Sequence, residues 1–80
     1  MGNVATLFKV YVEAGMEDGV SRSIKALKPK SLQTEEIGFG IKVIKVMFVH
    51  TDEEGSTPIE EKLKSVKGVN EVEVEEQTLL

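Results

Sequence analysis

The side chains able to do chemistry in this 80-residue chain are few: one histidine at position 50, the acidic run Asp52-Glu53-Glu54, scattered serines, and the step Gly38-Phe39-Gly40. There is no Cys, which removes disulfides, thiol nucleophiles, thiolate zinc sites and iron–sulfur ligation together. His50 has no Ser, Cys or second His at a spacing that would build a proton relay, so it reads as a structural or surface residue. The acidic run lacks the spacing of a calcium loop and reads as a solvated turn. Ser21, Ser23, Ser31, Ser56 and Ser65 fall in no nucleophile-elbow context. Gly38-x-Gly40 lies between two strand-like runs and not ahead of a helix, so neither the dinucleotide nor the triphosphate cradle applies. These residues predict no catalytic site, no metal site, no cofactor and no small-molecule substrate.

Phe39 is left over: a bulky apolar side chain between two glycines at a loop tip. Two readings stand. The ring folds back over an open sheet face, or it projects as an anchor for a partner's pocket, a common role for aromatics at interfaces.

Composition narrows the class. With 40% hydrophobic and 30% charged residues, the chain is an ordinary globular domain, and its length makes residues 1–80 a single one. No apolar run approaches the roughly 20 residues that span a bilayer, and no signal core follows the N-terminus. A cytoplasmic protein without a membrane partner is expected. A net charge of −4 opposes direct nucleic-acid binding, which depends on clustered cations releasing counterions. The charge is uneven, however. Arg22, Lys25, Lys28 and Lys30 stand without an acid among them, and Glu71, Glu73, Glu75 and Glu76 without a base. Such segregation suits a solvated helix face and a protected edge strand, or complementarity to a protein partner.

The elements that position these residues follow from periodicity. Val4–Val12 alternates, with Thr6, Phe8, Val10 and Val12 on one face. After the break at Gly15, Val20, Ile24 and Leu27 form a helical stripe with Asp18 as its expected N-cap and Pro29 beyond its end. Ser31–Glu36 has no strongly apolar face and reads as an edge strand. Ile37–His50 is the longest apolar run and reads as a central strand. Thr57, Pro58 and Glu60 predict a capping box at the start of a second helix, with Ile59, Leu63 and Val66 inward and Gly68 as its stop. Val72 and Val74 then alternate with glutamates in a last strand.

The order strand, helix, strand, strand, helix, strand, with a right-handed crossover in each half, predicts an α+β ferredoxin-like sandwich (βαββαβ). It has a four-stranded antiparallel sheet and both helices on one face. The first and third strands, being most apolar, should be central. The inward set is Val10, Ile24, Leu27, Ile44, Val46, Phe48, Ile59, Leu63, Val66, Val72 and Val74. Within this fold the copper carriers need a Cys pair and the nucleic-acid binders need aromatic strand motifs, both absent here. An acylphosphatase-like enzyme would need Arg and Asn where the chain has Glu13-Ala14-Gly15-Met16. The residues alone lead to an interaction module.

The run IGFGIKVIKVMFV, the loop TDEEG, the helix segment EEKLKSVKGV and the final valine–glutamate strand resemble the elongation factor 1-beta family, and the opening MGNVATLFKV resembles its free-standing archaeal members. The resemblance implies guanine nucleotide exchange on the elongation factor 1-alpha GTPase during translation elongation. It implies partner contacts at Gly38, Phe39, Gly40 and Lys42, within the most specific motif IGFGIK, and at the tail Gln77, Thr78, Leu79 and Leu80. Eukaryotic members of the family carry a Lys just before the last residue that disturbs the partner's Mg²⁺ site. The position here is Leu79, and a leucine cannot compete with Mg²⁺ as an ammonium can. The implied role of the tail is therefore steric. A different class of function on the same fold is a non-catalytic regulatory or assembly module that dimerises through its sheet.

Overall fold

Two apolar strands at the centre of one sheet set the architecture. The computed structural model describes residues 2–80, as β1 (Asn3–Val12), α1 (Glu17–Lys25), β2 (Ser31–Gly38), β3 (Ile41–Thr51), α2 (Thr57–Lys64) and β4 (Val69–Leu79). The sheet order is β2-β3-β1-β4, with every neighbouring pair antiparallel. The expected ferredoxin-like βαββαβ sandwich is therefore present, with β1 and β3 central.

β1 and β3 pair with Phe8 opposite Val46 and Val10 opposite Ile44. Alternation then sends Phe8, Val10, Ile44 and Val46 to one face, where Val20 and Ile24 of α1 and Leu63 of α2 cover them and all seven are fully buried. Each such side chain contributes about 1.5–3 kcal/mol of transfer free energy. Phe8 meets Phe48 edge-on, with centroids 6.1 Å apart and rings at 72°, the arrangement favoured by aromatic quadrupoles. Of the expected inward set, Leu27, Ile59 and Val66 pack at the border of the core and are only partly buried. Val74 is a correction: it faces the helix layer opposite Phe8 yet is 42% exposed. It lies on an edge strand, and the eight residues of α2, about 12 Å of helix, are too short to cover the eleven of β4.

Both helix starts differ from the capping pattern. α1 begins at Glu17 after Met16, so Asp18 sits inside the first turn, where its charge still complements the helix dipole. α2 is preceded by Ser56, not Thr57, and neither helix has a side-chain cap bond. Ser56 has φ −93° and ψ −13°, outside the extended region from which a side chain reaches back to the N2 or N3 amide. Gly68 lies three residues beyond the Ser65 C-cap and serves a different purpose. Its φ is +98°, its carbonyl accepts the Glu13 amide at 2.8 Å, and a Cβ there would come within 2.8 Å of both Met16 Cβ and Val20 Cγ2. Only glycine allows α1 to sit this close to the entrance of β4.

The face away from the helices is held by charge. Lys45 Nζ reaches Glu35 on β2 at 3.2 Å and Glu75 on β4 at 3.5 Å, tying both edges to the centre. The hydrogen bond and charge of Glu35, followed by the charge of Glu75, raise the Lys45 pKa above the ordinary lysine value. These exposed pairs guide register more than they add stability.

Candidate functional site

The β2–β3 hairpin closes through Phe39 and Gly40, with Gly38 paired to Ile41. Phe39 has φ +54° and Gly40 φ +74°, the signs that a type I′ turn requires at its two central positions. Glycine supplies this at no steric cost, but an L-residue such as Phe39 incurs about 1–2 kcal/mol of strain. Just before it, the ladder slips between Glu36 and Gly38, leaving Ile37 unpaired, and Gly38 absorbs the irregularity at φ +112°. The folded-back reading of Phe39 is excluded. Its ring is fully exposed, at 104% of the reference area, and does not fold back over the sheet. Ile37 at 45% and Ile41 at 50% extend this apolar tip, and Lys42, opposite Glu36, is exposed beside them. Tyr11, Ala14, Glu17 and Asn70 join Phe39 and Lys42 around an adjoining cleft of about 310 Å³.

Gln77, Thr78, Leu79 and Leu80 do not form a loose tail. Gln77, Thr78 and Leu79 complete β4 opposite Thr6, Ala5 and Val4, and the Leu80 amide donates to the Asn3 carbonyl at 2.8 Å. A slip in the β1–β4 ladder between Leu7 and Phe8 resets the alternation. Gln77 and Leu79 therefore turn to the helix side, where unbroken alternation from Val74 would have placed Glu76. Gln77 Nε2 donates to Thr6 Oγ1 at 3.2 Å, and Thr6 in turn contacts buried His50. Leu79 and Leu80 stay 72% and 67% exposed.

The structure thus brings Gly38, Phe39, Gly40 and Lys42 together at one end of the sheet and Gln77 to Leu80 together at the other. It does not bring the two groups to each other. From Ile41 to His50, which is two strands from Leu79 through Val4, nine strand steps span about 30 Å, within a molecule 41 Å long. One partner touching both must extend along most of the chain's length.

His50 is structural: both ring nitrogens are hydrogen-bonded, to Thr6 Oγ1 at 2.6 Å and to the Thr51 carbonyl at 2.9 Å. Asp52, Glu53 and Glu54 form an exposed turn that Glu54 closes by accepting from Thr51 Oγ1 at 3.0 Å and the Thr51 amide at 3.3 Å. Those bonds, backbone amide first, hold the Glu54 pKa below the ordinary carboxylate value. Among the described residues no cluster of three or more His, Asp or Glu could hold a metal ion, and no helix is long and apolar enough to cross a membrane. A feature that periodicity could not reveal is a wider groove of about 550 Å³ where α1, α2 and the end of β3 meet, lined by Lys28, Lys30 and Lys62 above Leu27, Phe48 and Ile59. Lys28 and Lys30 come from one basic segment after α1, and the fold brings Lys62 of α2 to the same groove.

Against known proteins, the family model described as the EF-1 guanine nucleotide exchange domain matches residues 13–80. Curated proteins called elongation factor 1-beta align with essentially the whole chain. That of Methanosphaerula palustris is 40% identical over 84 aligned positions, covering 99% of each chain. That of Methanospirillum hungatei is 38% identical over 85, covering all of both, and that of Thermoplasma acidophilum is 32% identical over 88, again covering both completely. Among solved structures, the ACT domain from GTP pyrophosphokinase of Chlorobium tepidum superposes with a TM-score of 0.73 in its solution NMR structure, covering 92% of this chain and 88% of that one. At 20% identity this likeness concerns the fold alone.

Proposed function

The chain belongs to the family of EF-1 guanine nucleotide exchange domains, and from that premise we propose that it promotes GDP release from the elongation factor 1-alpha GTPase during translation elongation, in the cytoplasm. The observation that carries this reading from the chain's own residues is Phe39, fully exposed on a backbone conformation unfavourable to it. Strain at an exposed apolar residue does nothing for folding, and such residues concentrate where a protein meets its ligand or partner.

The proposed mechanism is thermodynamic and makes no covalent bond. The factor binds the nucleotide-free GTPase more tightly than the GDP-bound one, and by linkage the same free energy weakens GDP. Phe39, flanked by Gly38 and Gly40 with Lys42 nearby, supplies the anchor. Gln77, Thr78, Leu79 and Leu80 act sterically, as a rigid sheet end carrying two exposed leucines. The partner is a protein, and the reading involves no direct nucleic-acid contact, cofactor or small-molecule substrate.

A module that assembles through its sheet edges is disfavoured, because β2 carries Glu35 and Glu36 and β4 carries Glu71, Glu73, Glu75 and Glu76. Like charges oppose edge pairing. The deciding experiment measures release of labelled GDP from the cognate GTPase. Substoichiometric amounts of this protein should raise the release rate, and an unchanged rate at saturation, with a complex still forming, would leave binding without exchange.

A further inference from the structure

The 550 Å³ groove at the α1–α2–β3 junction takes no part in the contacts above, and its charge is opposite to that of the chain. Lys28 follows α1, Lys30 directly precedes β2, and Lys62 lies on α2, so lysines from two separate segments of the chain line one groove. None of the three is in an ion pair among the described residues, where such pairs involve Lys45 and Lys64. One carboxylate, Glu54, shares the groove and feels the charge of Lys62, offsetting part of the positive charge and leaving a net excess of lysines. Lys28 also has φ +60°, at a post-helical position where glycine is the unstrained residue. Beneath the lysines, Leu27, Phe48 and Ile59 form an apolar floor, of which Leu27 and Ile59 are only partly buried.

We propose that this groove is a second docking site for the GTPase, receiving an acidic segment in which carboxylates flank an apolar side chain. The proposal rests on the exchange reading and deepens it. Carboxylates would meet the three lysines while the apolar side chain covers the floor, the combination of apolar centre and charged rim found at protein interfaces. An open groove suits a protein segment better than a small molecule, because small-molecule sites enclose most of their ligand's surface. The groove also lies at the His50 end of the sheet, where β4 presents Leu79, so its occupant would continue that contact surface. Exposed cations of this kind act chiefly on the rate of encounter, which salt suppresses.

The test has two arms. In the first, the full chain labelled with nitrogen-15 is titrated with the capped peptide Asp-Glu-Leu-Asp-Glu. The expected result is saturable movement of the Lys28, Val49, Glu54 and Lys62 amide signals. It should weaken at least about tenfold between roughly 50 and 500 mM salt and vanish in the Lys28→Glu/Lys62→Glu double variant. Phe39→Ala should leave it unchanged. Absence of saturable movement, or tighter binding of ATP than of the peptide at the same amides, would overturn the proposal. In the second arm, association with the GTPase is followed by stopped flow. The double variant should associate about tenfold or more slowly and lose most of its salt dependence. If it associates at the wild-type rate, the second site is wrong while the exchange reading stands; if wild-type protein forms no complex, both fall together.

Discussion

Thr6 Oγ1 and His50 Nε2 lie 2.6 Å apart inside the sheet, hydrogen-bonded across adjacent central strands. His50 Nδ1 faces the Thr51 carbonyl at 2.9 Å, which can only accept, so this contact selects the tautomer in which Nδ1 is the donor. Nε2 then accepts from the Thr6 hydroxyl, and the free lone pair of Thr6 receives Gln77 Nε2–H at 3.2 Å. Three strands are thus linked, β4 to β1 to β3, just where β4 presents its exposed leucines.

Thr6→Val keeps the shape of this residue and removes the link. The buried His50 nitrogen loses its partner, at a cost of about 1–3 kcal/mol, and the Gln77 side chain is released. Urea unfolding should show that loss, and backbone amide exchange at Gln77 to Leu79 should accelerate more than at the start of β4. Thr6→Ser retains the hydroxyl and should recover most of the protection. Equal protection in the valine variant would mean that the ladder alone holds the end of β4.

Phe39 sets recognition against stability. Replacement by Asn, which tolerates positive φ, should stabilise the fold by about 1 kcal/mol in thermal or urea unfolding. The same variant should weaken GTPase binding by about 2 kcal/mol or more and slow GDP release in proportion. Phe39→Ala should match that binding loss with little change in stability. A large loss of stability in either variant would contradict the exposed, strained ring.

Glu54 gives the pH dependence a defined sign. Its folded-state pKa is lowered by the Thr51 bonds, so the ionised carboxylate favours the native state above the ordinary glutamate value of 4.5. That contribution fades as pH falls from there through the lower folded-state value. Melting temperatures of wild-type protein and Glu54→Gln should therefore differ near neutrality and converge in acid. A constant difference down to pH about 3 would show that the charge of Glu54 is not what closes the turn.

Much of the fold was legible because it rests on short-range pattern. Val4–Val12 and Ile37–His50 each alternate over a length that only a strand fits. Their apolar character on both faces demands central positions, and Val20, Ile24 and Leu63 recur at helical spacing. The capping pattern misled because Thr57 and Asp18 announce helix starts by type, whereas bonding depends on the backbone angles of the residue that precedes the helix. Val74 misled because alternation tells which face a residue takes but not how far the covering helix extends.

For the candidate site the division is sharper. Gly38-Phe39-Gly40 was visible as an aromatic between two residues free to take positive φ, but exposure of the ring depended on turn handedness and a slipped ladder, which no local pattern encodes. The tail Gln77–Leu80 became a fixed strand end because pairing with Val4–Thr6 satisfies its backbone. Period-two reasoning could not foresee the slip beside Phe8 that turns Gln77 towards Thr6. By itself the sequence determined the sheet, its centre and the presence of an unusual aromatic turn, since hydrophobic spacing and glycine chemistry are local. Only the tertiary structure decided that the turn and the strand end lie at opposite poles and that Lys62 joins Lys28 and Lys30 in one groove, because those relations arise when strands register and helices dock.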